Sequence, residues 1–185
     1  LYKPFGNCTG RQSELKWEHT VLGGQVMRKK LFYGIGWAYI ILGLPLLGIA
    51  IALHKLRFTA ASFTIAHRYM VILAALLLRL AGVKVTMEGR EHLPKELPVV
   101  FVSSHQGHFD SAVILSQIRV PLTFVATSNA AKFPVVSRWF VLGSVIFMER
   151  GNLRQNYQAV KEAQQVIAEG KSVVIYPEGI ISGGP

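Results

Sequence analysis

Two side chains able to move a proton lie five positions apart in one short polar stretch. They are His105 and Asp110, within Ser103-Ser-His-Gln-Gly-His-Phe-Asp110, and Asp110 is the only aspartate in the chain. Residues 99–102, Val-Val-Phe-Val, read as a buried strand that stops at Ser103. On a regular helix, positions i and i+5 point about 140° apart. A turn after a strand end, leading into a helix that starts near Asp110, brings the carboxylate back onto the imidazole. A carboxylate on one ring nitrogen fixes the tautomer and stabilises the imidazolium, and the other nitrogen then takes a proton from a hydroxyl. No serine or cysteine stands in a nucleophile-elbow pattern, so the simplest chemistry is direct. His105 is the general base, the acceptor hydroxyl the nucleophile, and Asp110 the orienter.

Two other readings of the same residues stand beside this one. Asp110 also suits the cap of a helix over residues 111–118, with His105 an ordinary loop histidine. His105, His108 and Asp110 spell H-x-x-H-x-D, a start toward a metal-dependent hydrolase, but no Cys/His cluster completes a ligand set.

Two more loops carry charge where strands end. Glu149-Arg150-Gly151-Asn152 follows a strand over residues 144–148, and the Arg150 guanidinium is a planar fork suited to a phosphate. Tyr176-Pro-Glu178-Gly179 follows a strand over residues 172–176, and Gly179 admits close approach of a backbone N–H to a ligand. A solvated arginine and a plain turn are the ordinary alternatives. In an open α/β sheet, ligands sit beyond strand ends.

The elements that must position these loops follow from the pattern. From residue 83 onward short strands alternate with helices. Strands are expected at 83–87, 99–102, 121–126, 144–148 and 172–176, and a helix at 111–118. Residues 130–142 are mixed and interrupted by Pro134. The clearest amphipathic helix spans 153–169, with an apolar stripe Leu153, Tyr157, Val160, Ala163 and Ile167 and Gly170 at its end. That order predicts an α/β domain with a mixed sheet flanked by helices.

Ahead of it lies a different kind of chain. Residues 1–30 read as a polar tail. Residues 31–53 contain no charge, and twelve of them are Leu, Ile or Phe. At about −0.3 to −0.6 kcal/mol each, these contribute roughly −4 to −7 kcal/mol toward membrane insertion. A transmembrane helix, a hairpin, or an in-plane helix bent at Pro45 all fit, because basic residues flank both ends: Arg28, Lys29 and Lys30, then His54, Lys55 and Arg57. Residues 69–80 form a second apolar run, too short to span and suited to an interfacial helix ended by Gly82. Residues 31–82 thus read as a membrane-docking segment before a catalytic domain at 83–185.

Composition agrees with lipid. The chain is 51% hydrophobic, with mean hydropathy +0.35 and formal charge +10. That charge suits an anionic membrane surface or a phosphate-bearing substrate. Nucleic acid is not expected as a partner, because no basic helix, zinc pattern or RNA-binding signature accompanies it. Cys8 is the single cysteine, so no internal disulfide forms, which fits a site on the cytoplasmic face.

Taken together, the three loops resemble the glycerolipid acyltransferase family, whose best-known members are the lysophosphatidic acid acyltransferases. His105-Gln-Gly-His-Phe-Asp110 matches its H-x4-D motif. Val145-Ile-Phe-Met-Glu-Arg150-Gly-Asn resembles the second motif, and Val174-Ile-Tyr-Pro-Glu-Gly179 the third, usually F-P-E-G-T-R-S. Met87-Glu-Gly-Arg-Glu-His-Leu-Pro94 is also similar to the family. The resemblance implies transfer of a fatty acyl group from acyl-CoA or acyl carrier protein to a glycerol hydroxyl by a membrane-bound enzyme. It implies an N-terminal two-helix platform, His105 as base, Asp110 as its orienter, and Arg150, Glu178 and Gly179 as acceptor-binding groups. No metal or bound cofactor is implied, and no stable protein partner. Ile180-Ile181 replaces the usual Thr-Arg, with Ser182 retained, and residues 126–129 lack a lysine pair often found there. Each lost charge-assisted contact costs about 1.5–3 kcal/mol, which bears on the acceptor headgroup rather than the transfer step. The fourth family motif is not found before Pro185, so the catalytic domain reads as truncated. A catalytically weak lipid-binding relative is the remaining alternative, motivated by the altered third motif.

Overall fold

Four short apolar runs after position 98 become strands, and a helix carries the chain from each of the first three to the next. The computed structural model describes residues 22–179 apart from 108, 133 and 150, with the backbone alone for residues 22–29. Among the described residues there are four strands: β1 (Val100–Val102), β2 (Leu122–Thr127), β3 (Ile146–Met148) and β4 (Ser172–Ile175). Helices α4 (Asp110–Gln117), α5 (Pro134–Leu142) and α6 (Leu153–Ala168) make the crossovers. The α/β expectation holds. Among the described residues the sheet is parallel rather than mixed, since all three pairings run parallel, in the order β1-β4-β2-β3. A helix between successive strands returns the chain to the same end of the sheet, and that forces parallel pairing. The last strand inserts between the first two, with Val102 level with Ile175. The loops after β1 and β4 are therefore neighbours, about 4.8 Å apart strand to strand.

Residues 83–87 form no strand. Their alternation is real, since Val85 and Met87 are the inward members, and Met87 packs on the cluster Ile118, Leu122 and Val174, but no ladder partner lies alongside. Pro134 starts α5 rather than interrupting it, as suits a residue without an N–H at the first helical position. The α6 stripe is also shifted from expectation. Ala159, Ala163, Val166 and Ile167 face the sheet, while Leu153, Tyr157 and Val160 are exposed. The two alanines put little bulk between the helix and the residues of β3 they pack against.

Before the sheet come α1 (Leu22–Leu42), α2 (Leu44–Lys55) and α3 (Thr59–Leu80). The apolar run expected over 31–53 is two helices meeting at 43° beside Gly43, two residues before Pro45. The second run is longer than the sequence pattern implied. It belongs to a 22-residue helix whose N-terminal half buries Ser62, Phe63 and Ala66. Gly82 ends α3 with φ +72°, as expected, its N–H donating to the Arg79 carbonyl and that of Val83 to Leu78. By length and composition α3 could cross a membrane. Its buried face nevertheless packs on the α/β part: Ala66 and Tyr69 meet Trp139 and Leu142 of α5, and Met70 and Ala74 meet Leu115 of α4.

Candidate active site

His105 lies three residues past β1, where the valine-rich strand gives way to Ser103 and Ser104. Asp110 opens α4, and its carboxylate turns back toward the loop rather than forward onto the helix. Its Oδ2 accepts from His105 Nδ1 at 2.9 Å, from the Gln106 N–H at 2.7 Å and from the Gly107 N–H at 2.8 Å. The helix-cap reading of Asp110 is thereby replaced, since the donors it satisfies precede α4. Because the carboxylate accepts, Nδ1 carries the imidazole proton and Nε2 is the basic nitrogen. Burial alone pushes the Asp110 carboxyl up. The Gly107 N–H, His105 and the Gln106 N–H outweigh it and hold Asp110 below the usual carboxylate range. Both side chains are about a quarter exposed, so the pair sits at the surface mouth of the sheet.

Tyr176 closes the other side. Its ring lies over the His105 ring with centroids 4.4 Å apart and planes at 25°. Its hydroxyl meets Ser111 Oγ at 3.0 Å. Burial pushes the Tyr176 hydroxyl up, with the Asp110 charge adding to it and the Ser111 hydrogen bond opposing. Sequence reasoning singled out the Tyr176-to-Gly179 turn but not this contact. The one available signal was an aromatic residue next to Pro177 at a strand end.

Glu178 and Gly179 follow in a tight turn beside the dyad loop. The Gly179 N–H donates to the Tyr176 carbonyl at 3.0 Å, Gly179 has φ +60°, and Glu178 is exposed. Arg150 and His108 lie outside the described residues. The loop that carries Arg150 is anchored on both sides, with Asn152 Nδ2 donating to Glu149 Oε2 at 3.1 Å and the Gln155 N–H donating to Asn152 Oδ1. It leaves β3, three strands from β1 and so about 14 Å across the sheet. Among the described residues no three His, Cys, Asp or Glu side chains converge on a common point. His105 Nδ1 and Asp110 Oδ2 face each other, which is the geometry of an acid–base pair rather than of two ligands. A cavity of about 430 Å³ opens at the opposite end of the sheet, where Lys171 pairs with Glu169 at 2.7 Å. It contains none of the expected site residues.

The sequence comparisons fall on this same region. A family model described as Acyltransferase matches residues 84–184, more than half of the chain. The chain belongs to the acyltransferase family. Among relatives, it is 30% identical over 105 residues to a 1-acyl-sn-glycerol-3-phosphate acyltransferase of Borreliella burgdorferi, covering 57% of this chain and 42% of that one. It is also 30% identical over 116 residues to a probable enzyme of the same name from Mycoplasma pneumoniae, covering 58% and 41%. The chain thus spans about two fifths of the length of these relatives. The fold is like that of the crystal structure of the lysophosphatidic acid acyltransferase PlsC from Thermotoga maritima. The TM-score is 0.66 at 22% identity, over 85% of this chain and 61% of that one.

Proposed function

We propose that this acyltransferase-family chain carries the catalytic centre of a membrane-bound O-acyltransferase. It moves a fatty acyl group from acyl-CoA or acyl carrier protein to the free glycerol hydroxyl of lysophosphatidic acid or a related lysolipid. The observation that carries the reading is the 2.9 Å contact between His105 Nδ1 and Asp110 Oδ2 inside the H-x4-D loop. His105 Nε2 takes the proton of the acceptor hydroxyl as the oxygen attacks the thioester carbonyl. The tetrahedral intermediate then expels the thiolate, the C–S bond breaks, and the imidazolium returns its proton to sulfur. Asp110 holds the tautomer and offsets the transient positive charge. Glu178 and Gly179, from the loop beside the dyad, and Arg150, from the loop after β3 further across the sheet, are assigned to the acceptor. The chemistry as written needs no metal or bound cofactor. Exposed apolar side chains on α1 and α2 support membrane attachment, and the lone cysteine supports a site facing the cytoplasm.

The test is transfer of labelled acyl from each donor to a panel of lysolipids. His105→Ala lowers kcat by about 10²–10⁴-fold, the usual contribution of a positioned general base, and chelator leaves the wild-type rate unchanged. Chelator-sensitive hydrolysis would favour the metal reading through His105, His108 and Asp110. Lipid binding without His105-dependent transfer would favour a non-catalytic relative.

A further inference from the structure

The Asp110 carboxylate holds one edge of the His105 imidazole. Tyr176 meets the same ring from its face. Its ring covers one imidazole face at 4.4 Å, and its hydroxyl is fastened to Ser111 Oγ, in the first turn of α4 directly after Asp110. The edge contact and the face contact on His105 are therefore both referenced to the same helical turn. Insertion of β4 beside β1 is what brings them together.

We infer that Tyr176 is a positioning residue for acyl transfer, its ring fixing the plane of His105 and its hydroxyl, through Ser111, fixing the ring. The inference rests on the function proposed above. During transfer the imidazole becomes a cation, and an aromatic face held over a cation is attractive. The same ring therefore favours the state in which His105 carries the substrate proton. A purely structural role is the competing explanation, because Tyr176 also packs on the cluster around Leu122 and Val174.

Three variants separate these roles. Tyr176→Leu keeps apolar packing and removes the ring; Tyr176→Phe keeps the ring and cuts the tie; Ser111→Ala cuts the tie from the other side. With labelled acyl donor and lysolipid, Tyr176→Leu lowers kcat at least tenfold with the acceptor KM within twofold. Tyr176→Phe recovers most of that loss and sits about threefold below wild type. Combining Tyr176→Phe with Ser111→Ala is no worse than either alone, because both remove one bond. A substrate-free readout accompanies the kinetics. In protein carrying ¹³C-labelled histidine, the His105 Hε1 resonance, assigned through His105→Gln, is shifted upfield by the tyrosine ring. It keeps that shift in Tyr176→Phe and loses it in Tyr176→Leu. An unchanged kcat in Tyr176→Leu, a loss carried in KM, or an unmoved resonance overturns the inference. If Tyr176→Leu fails to fold by circular dichroism, the tie variants decide, and full kcat in both overturns it. Absence of transfer by wild type defeats the proposed function, whereas the resonance still reports whether the stack exists.

Discussion

Asp110 is the residue whose environment is most specific, because three donors converge on a single oxygen. Its carboxyl is held below the ordinary 3.8. A group with a depressed folded pKa contributes stability that is fully present above its unfolded value and is lost as pH falls through its folded value. Asp110→Asn is therefore less stable than wild type at pH 7, and the gap in denaturation midpoint narrows as pH drops below about 4. Partial exposure keeps the effect modest. Denaturant titrations of both proteins across that range check it, and a gap that widens on acidification contradicts the sign. The dyad was legible in the sequence for a physical reason. A strand that ends abruptly, followed by His and Asp at a spacing a helix keeps apart, leaves a folded-back loop as the way to join them. Tyr176 was not legible, because its contact depends on which strand inserts next to β1. Nothing local to Tyr176 encodes that choice.

At the scale of elements, α3 is the helix against which α1, α2, α4 and α5 all pack, and its join to the first two helices is tight. Tyr69 stacks on Trp139 of α5 with centroids 3.9 Å apart and planes at 8°. Its hydroxyl donates to the Tyr39 carbonyl at 3.0 Å, and the Tyr39 hydroxyl donates to the Tyr69 carbonyl at 3.2 Å. The bend between α1 and α2 falls where Tyr69 covers Gly43, and a Cβ at Gly43 would run into the Tyr69 ring. The ring is clamped by its stack and its hydrogen bond, so it has nowhere to go. Gly43→Ala is expected to cost about 1–3 kcal/mol, the usual range for overpacking. Gly48, mid-helix in α2, has nothing within 4 Å of an added Cβ. Gly48→Ala is expected to stabilise by about 0.5–1 kcal/mol through the chain entropy it removes. Thermal unfolding of the pair should give opposite signs, with loss of near-ultraviolet aromatic dichroism in Gly43→Ala alone. The strands after residue 98 were readable because each was short, apolar and bounded by turn residues, whereas α5 was not, because Pro134 reads as an interruption as readily as a helix start. The strand expected at 83–87 failed because alternation reports which side chains face inward and says nothing of a hydrogen-bonding partner. The expected α6 stripe holds at Ala163 and Ile167 and fails in its first half, because Leu153, Tyr157 and Val160 carry more apolar weight than Ala159, which is the residue that faces the sheet.

For the whole molecule, charge and exposed apolar surface are the two features that bear on membrane attachment. Tyr33, Trp37, Ile41, Leu44, Leu46 and Ile49 of α1 and α2 are all more than a third exposed. The chain carries 20 Lys and Arg against 10 Asp and Glu. Basic residues near an anionic bilayer contribute about 1 kcal/mol each, and salt screens that share within a Debye length. Burial of exposed aliphatic and aromatic side chains contributes about 1.5–3 kcal/mol each, and salt leaves it in place. The full chain is therefore expected to bind anionic phospholipid vesicles tightly, to weaken severalfold between 0.1 and 0.5 M salt, and to retain a salt-independent remainder. Neutral vesicles should show the remainder alone. Trp37→Glu with Ile49→Glu places two carboxylates on the apolar face and should lower the remainder at least tenfold, read by vesicle flotation, while helix content by circular dichroism stays at the wild-type level. Undiminished flotation of that double variant would mean that the α1–α2 face does not hold the protein on lipid. The dyad would then have to reach its acceptor by some other surface.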